Sequence, residues 1–280
     1  MKKFWITLGG LLALGVILFV FVKSSESQLV SVELPESISY QQTKESFGES
    51  LKEEVVDVGV EVKEEKEVEK ESGQEISEEE GVSEEMQETE QINAINLAVP
   101  FTPQAPHANW DMPYQEACEE ASILMVDAYY QGVDEGLMDK EEVDSMIKEM
   151  VQFQEEELGF TPDMTAEETV HFITAAFGYE AEVIKNPSIE ELKDQLRTGH
   201  PVIIPAAGQE LNNPYFTPPG PVYHMLVLRG FTDTQFITND PGTRRGEAYL
   251  YDVDVVMGAM HDWNGGDVES GAKVAIIIYP

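Results

Sequence analysis

Val99–Leu124, V-P-F-T-P-Q-A-P-H-A-N-W-D-M-P-Y-Q-E-A-C-E-E-A-S-I-L, holds the one cysteine of a 280-residue chain, Cys118. Pro113 suits the residues just before a helix, and Ala117, Ala121, Leu124, Met125 and Ala128 recur behind it at helical spacing. Cys118 is therefore expected in the first turn of a helix, where the positive end of the backbone dipole favours thiolate. Glu116, Glu119 and Glu120 oppose that by like charge, so they are expected to point away from the sulfur or to be outweighed by a base. Taken alone, a small buried hydrophobe is the plainer reading of such a cysteine.

Two residues far downstream change that reading. His224 stands in Y-H-M-L-V-L-R-G-F, where strand alternation puts Tyr223, Met225 and Val227 on one face and His224, Leu226 and Leu228 on the other. Asp240 stands in F-I-T-N-D-P-G, which by itself is only a turn signal. Thr232-Asp233-Thr234 reads as the turn of a hairpin, so the strand leaving His224 and the strand returning to Asp240 end side by side. A thiol, an imidazole within reach of it and a carboxylate that orients the imidazole make a nucleophile, a base and a support for the base. Asn239 is the substitute if the register slips by one. Gln104 is the candidate side-chain donor to a developing oxyanion, beside the Cys118 backbone N–H, with Gln115 as its rival.

Outward from this core, the chain divides in three. Residues 1–23 carry three lysines and no acid, and Phe4–Val22 is an uncharged run of 19 residues. At about 1.5 Å per residue it is long enough to cross a hydrocarbon core of about 30 Å. V-K-S-S-E-S is a poor cleavage site, so an uncleaved anchor is favoured over a signal peptide, with the remainder of the chain outside the cell. Residues 24–92 carry 22 acids against 5 bases and read as a solvated, self-repelling spacer between membrane and domain. Residues 93–280, with 32 acids against 9 bases, have the aliphatics and aromatics for one domain.

The net charge of −37 repels phosphate backbones, so a nucleic-acid partner is not expected, and strongly acidic substrates are disfavoured on the same ground. In an exported chain, a lone thiol is a candidate reactive group. The remaining histidines, His107, His171, His200 and His261, lack zinc-site spacing, so neither metal nor cofactor is expected.

Within the domain, Asp139 with Glu142, Thr165 with Glu168 and Ser188 with Glu191 mark three helix starts, and Gly199 closes the third. Strands are expected at P-V-I-I-P-A, Y-H-M-L-V-L-R-G-F, Q-F-I-T, A-Y-L-Y-D-V and V-A-I-I-I-Y-P, with a short helix over 254–260. Helices first and mostly antiparallel strands later make an α+β domain. Y-F-T-P-P-G-P-V-Y, ahead of His224, is a candidate cleft loop. Trp110 and Trp263 are expected in the core rather than at the site.

V-P-F-T-P-Q, a cysteine at a helix start, Y-H-M-L-V-L-R-G-F and N-D-P together resemble the bacteriocin-processing (double-glycine leader) peptidase family. The resemblance is closest to that family's stand-alone relatives in the papain-like superfamily, and it spans about Val99 to Pro280. It implies a papain-like fold and a Cys-His-Asp triad with an upstream oxyanion glutamine, carried here by Cys118, His224, Asp240 and Gln104. Where the family often has Cys-Gly, this chain has Cys118-Glu119, and Gln104 lies 14 positions before the cysteine. The function expected is a membrane-anchored, extracytoplasmic cysteine peptidase or amidase with a peptide or protein substrate. The alternatives are a peptidase-like binding module without turnover, and acyl transfer to an amine by the same triad.

Overall fold

The computed structural model describes residues 33–46, 93–159 and 162–280. The predicted anchor, Phe4–Val22, and residues 24–32 and 47–92 of the predicted spacer lie outside these. No helix among the described residues is long and apolar enough to cross a membrane.

Among the described residues, seven strands form one sheet: β1 (Ile95–Asn96), β2 (Glu180–Lys185), β3 (Val202–Ala207), β4 (Tyr223–Phe231), β5 (Gln235–Asn239), β6 (Tyr249–Asp252) and β7 (Val274–Tyr279). Their order is β2-β7-β3-β4-β5-β6, every pairing is antiparallel, and β1 joins β4 beyond the end of β3. Among the described residues, the helices that accompany the sheet include α1 (Cys118–Tyr130), α2 (Lys140–Phe153), α3 (Ala166–Phe177), α4 (Ile189–Arg197) and α5 (Val253–Ala259). The fold is thus mixed helix and antiparallel sheet.

Local chemistry accounts for these boundaries. Thr165 and Ser188 form reciprocal capping boxes with Glu168 and Glu191, while Asp139 accepts from the Glu141 and Glu142 N–H groups. Every residue of β3 and β4 is buried, as a near-continuous apolar run requires of strands covered on both faces. In α1, every residue but Asp127 is buried, so this helix lies inside the domain and carries Glu119, Glu120 and Ser122 in with it. At Gly230, a Cβ would stand 2.2 Å from the Ile95 carbonyl oxygen, so only glycine lets β1 close on β4.

Two expectations change. The strand β2, E-A-E-V-I-K, went unpredicted because it is a sheet edge with Glu180, Glu182 and Lys185 exposed, and those charges hide its apolar alternation. The spacer reading does not hold over residues 34–46, which belong to the folded unit. Ile38 bridges to Leu97, the Tyr40 ring packs 5.5 Å from Tyr129 and 4.9 Å from Tyr130, and Thr43 is buried. An isoleucine and a tyrosine that find a partner surface outweigh the polar composition around them.

Candidate active site

β4 supplies the imidazole. His224 enters the sheet opposite Ala206, and it is 1% exposed. Its Nε2 lies 2.8 Å from Asp240 Oδ1, at the end of the return strand, as the hairpin predicts. Because a carboxylate only accepts, Nε2 carries the hydrogen, and Nδ1 is left as the basic nitrogen. Phe216 packs edge-on against the imidazole at 5.4 Å. At Gly242, a Cβ would come within 3.0 Å of His224 Cε1 and 2.8 Å of the Phe216 ring, so the turn after Asp240 needs glycine to lie against the imidazole.

Asp240 is fully buried and saturated. Oδ1 accepts from His224 and from the Gly242 N–H at 2.9 Å; Oδ2 accepts from the Tyr251 hydroxyl at 2.6 Å and Asn213 Nδ2 at 3.0 Å. Burial alone would raise its pKa, but the His224 ring, the Tyr251 hydroxyl and the Gly242 N–H hold the carboxyl below its ordinary value. Asn239, the substitute, is occupied elsewhere: its amide donates to the Val99 and Pro100 carbonyls and accepts from the Ala248 N–H.

Cys118 is the first residue of α1 and is 5% exposed. The expectation that the glutamates turn away fails at Glu119, whose Oε2 lies 2.9 Å from the Cys118 sulfur. Glu119 is 1% exposed, and its other oxygen accepts from the Met164 N–H at 3.3 Å. Burial first, then the charge and hydrogen bond of Glu119, push the thiol well above its ordinary pKa, against a backbone hydrogen bond from Met225 that lowers it. Glu119 is itself pushed well up, by burial and by Glu120. Burial raises Glu120 to about 7; one of its oxygens accepts from Gln154 at 2.7 Å, and the other is without a partner. A carboxyl kept neutral in this way puts no charge beside a thiolate and has an O–H to offer it.

Gln104, Gln115, Cys118 and His224 line one cleft of about 590 Å³. The Gln104 amide donates to the Tyr114 and Gln115 carbonyls, both at 3.0 Å, while its Oε1 is buried without a partner. Both amide hydrogens are thus committed to the turn that precedes Cys118, and an oxyanion would have to displace one of them. Gln115 donates to Glu116 at the surface.

Of the remaining cleft residues, Tyr215 and Phe216 come from the loop singled out in the sequence. Trp110 is a correction: it lines the cleft and is 43% exposed rather than in the core. Trp263 is half-buried against Tyr223, with ring centroids 5.4 Å apart. Sequence reading missed Asn213 and Tyr251 because each meets Asp240 from a separate element, without any local pattern. Arg244 and Arg245, the only Arg-Arg pair in the chain, were legible and passed over. Among the described residues, no cluster of three or more histidines, cysteines or carboxylates is arranged for a metal ion.

A crystal structure named for a C39-like peptidase from Bacillus anthracis matches at 17% identity and a TM-score of 0.45, covering 67% of this chain and 98% of that one. No curated protein matches the sequence. Residues 96–265, more than half of the chain and the span from β1 past α5, match the model of the Peptidase_C39 like family, so the chain belongs to the C39-like peptidases.

Proposed function

We propose that this protein is a cysteine peptidase or amidase whose nucleophile is Cys118, and that Phe4–Val22 anchors it with the domain outside the cell. The observation that carries the catalytic reading is the buried His224–Asp240 pair, whose histidine lines the same cleft as a thiol at a helix start. Family membership supports a peptide or protein substrate. Nothing in the cleft singles out a double-glycine leader.

In this mechanism, His224 Nδ1 takes the thiol proton while Asp240 holds the ring and stabilises the imidazolium. The thiolate attacks the carbonyl carbon. The Cys118 backbone N–H faces the new oxyanion, with the Gln104 amide as second donor once it releases a backbone carbonyl. The imidazolium protonates the leaving amine, and water, deprotonated by His224, hydrolyses the thioester. Glu119 tolerates the thiolate only while it is protonated, the form its raised pKa favours; once ionised, its charge opposes the thiolate.

A second reading has its own observation. The resting thiol is bonded to Glu119 and its pKa is raised, as in a peptidase-like module that binds without turnover. Incubating the full chain with a complex peptide mixture separates the two. An enzyme yields cleaved products and a thioester adduct on Cys118, both lost in Cys118→Ala. Intact peptides from wild type and variant alike leave the binding module. Products joined to added amines, in place of free acids, mean acyl transfer.

A further inference from the structure

The domain from residue 93 onward carries 32 acids against 9 bases, and its cations are mostly neutralised. Lys148 pairs with Asp144, Lys185 with Glu167, Arg197 with Glu190 and Asp194, and Arg229 with Glu135. Lys273 donates to backbone carbonyls, Lys140 stands 3.9 Å from Glu141, and Lys193 lies over the Phe231 ring.

Arg244 and Arg245 are the exception. They are exposed, they line the cleft that holds Cys118 and His224, and neither pairs with any described carboxylate. No acidic side chain lines that cleft. A domain of strongly negative charge therefore has a reactive cleft walled by two uncommitted guanidinium groups. Arg244 also borders an adjoining cavity of about 360 Å³.

Their placement is built rather than incidental. The Arg245 guanidinium lies 4.7 Å from the centre of the Tyr215 ring, which fixes its plane and leaves its N–H edge open. The turn carrying both arginines is tied at its base: Asp240 N–H donates to the Gly246 carbonyl at 2.9 Å, and Arg245 N–H to the Thr243 hydroxyl at 3.2 Å. Gln104 N–H donates to the Pro241 carbonyl at 2.9 Å. The loop that begins at the histidine's carboxylate thus also presents the cations, which fixes their position relative to the reacting groups.

We propose that the cleft selects substrates bearing a carboxylate beside the scissile bond, bound by Arg244 and Arg245. This rests on Cys118 being the nucleophile of that cleft. It reverses the expectation that the acidic chain disfavours acidic substrates: the distant negative surface is screened by salt, whereas the two cleft charges act at contact range. A carboxylate is held by a guanidinium fork through paired N–H donors. An Asp or Glu side chain and a free carboxy terminus offer the same group.

The test uses the single thiol of the full chain. Cys118 is alkylated with anionic iodoacetate and with neutral iodoacetamide, each thiolate displacing iodide, and the ratio of the two rates is taken within each protein. The ratio cancels any change in the thiol itself. For wild type we expect a ratio that falls about tenfold from low to high salt, and that falls about as far at low salt in Arg244→Gln/Arg245→Gln. A ratio insensitive to both salt and substitution overturns the proposal; the salt arm alone decides it if the variant fails to fold. Failure of the catalytic reading appears separately, as slow iodoacetamide labelling that His224→Ala leaves unchanged. Matched quenched peptides with Asp or Asn near the scissile bond, each with a free or amidated carboxy terminus, then locate the recognised group. Faster cleavage of Asp over Asn peptides identifies a side chain, and faster cleavage of free over amidated peptides identifies a terminus. Equal rates across the set contradict the proposal.

Discussion

Two sets of buried carboxyls flank the same cleft, and their pKa values shift in opposite directions. Asp240 receives four hydrogen bonds, one from the imidazole, and its pKa is lowered. Glu119 and Glu120 are buried as deeply, lie next to each other, and have a sulfur, a backbone N–H and one amide between them; both pKa values are raised. Burial penalises all three anions. The difference is in donors and in the sign of the neighbouring charge. The Asp240 side of the cleft is thereby built to hold an anion, and the Cys118 side to avoid one.

The largest test of this contrast is Asp240→Asn. It removes the acceptor that fixes the His224 tautomer and sets an amide against the Tyr251 and Asn213 donors. We expect peptide turnover to fall about 10³–10⁴-fold, with a stability loss of about 3 kcal/mol by denaturant titration. Retained turnover would mean that Asp240 is a structural turn residue.

Glu119→Gln probes the other side. Glutamine is neutral at every pH and has an N–H for the sulfur, so it removes the like charge that opposes thiolate. Glu120 and Tyr223, the other titratable groups near Glu119, are unaltered. Alkylation of the variant should reach its plateau at lower pH than wild type and run about tenfold faster on the rising limb of the wild-type profile. A profile displaced to higher pH would show instead that Glu119 supports the thiolate.

The smallest effect is on stability. Glu120 has a folded pKa of about 7 against an ordinary carboxyl value near 4.5. The native state thus binds more protons than the unfolded chain between those values. Its contribution is fully present below the lower value and is lost as pH rises through about 7. Wild type should lose about 1–3 kcal/mol more than Glu120→Gln between pH 5 and pH 8, read as the difference in slope. Parallel slopes would mean that Glu120 finds a counter-charge.

The sequence made the hairpin legible, and with it the meeting of His224 and Asp240, because a turn between two apolar strands fixes which ends lie together. Cys118 was legible as a lone thiol at a helix start. The direction of Glu119 was not, since a helix buried on nearly all sides takes its polar residues inward, and no amphipathic face reveals which way they turn. Asn213 and Tyr251 reach Asp240 only through tertiary register. The state of the Gln104 amide likewise follows from a fold that brings residues 114 and 115 against it.

The central claim is that His224 activates Cys118, and the alkylation rate of the full chain against pH tests it most directly, with and without His224→Ala. Each count of label reports Cys118. The account predicts labelling well below the ordinary thiol range of about 8.5, lost in the variant. Slow labelling that follows a raised thiol titration and is identical in both proteins would contradict it, leaving the thiol held by Glu119.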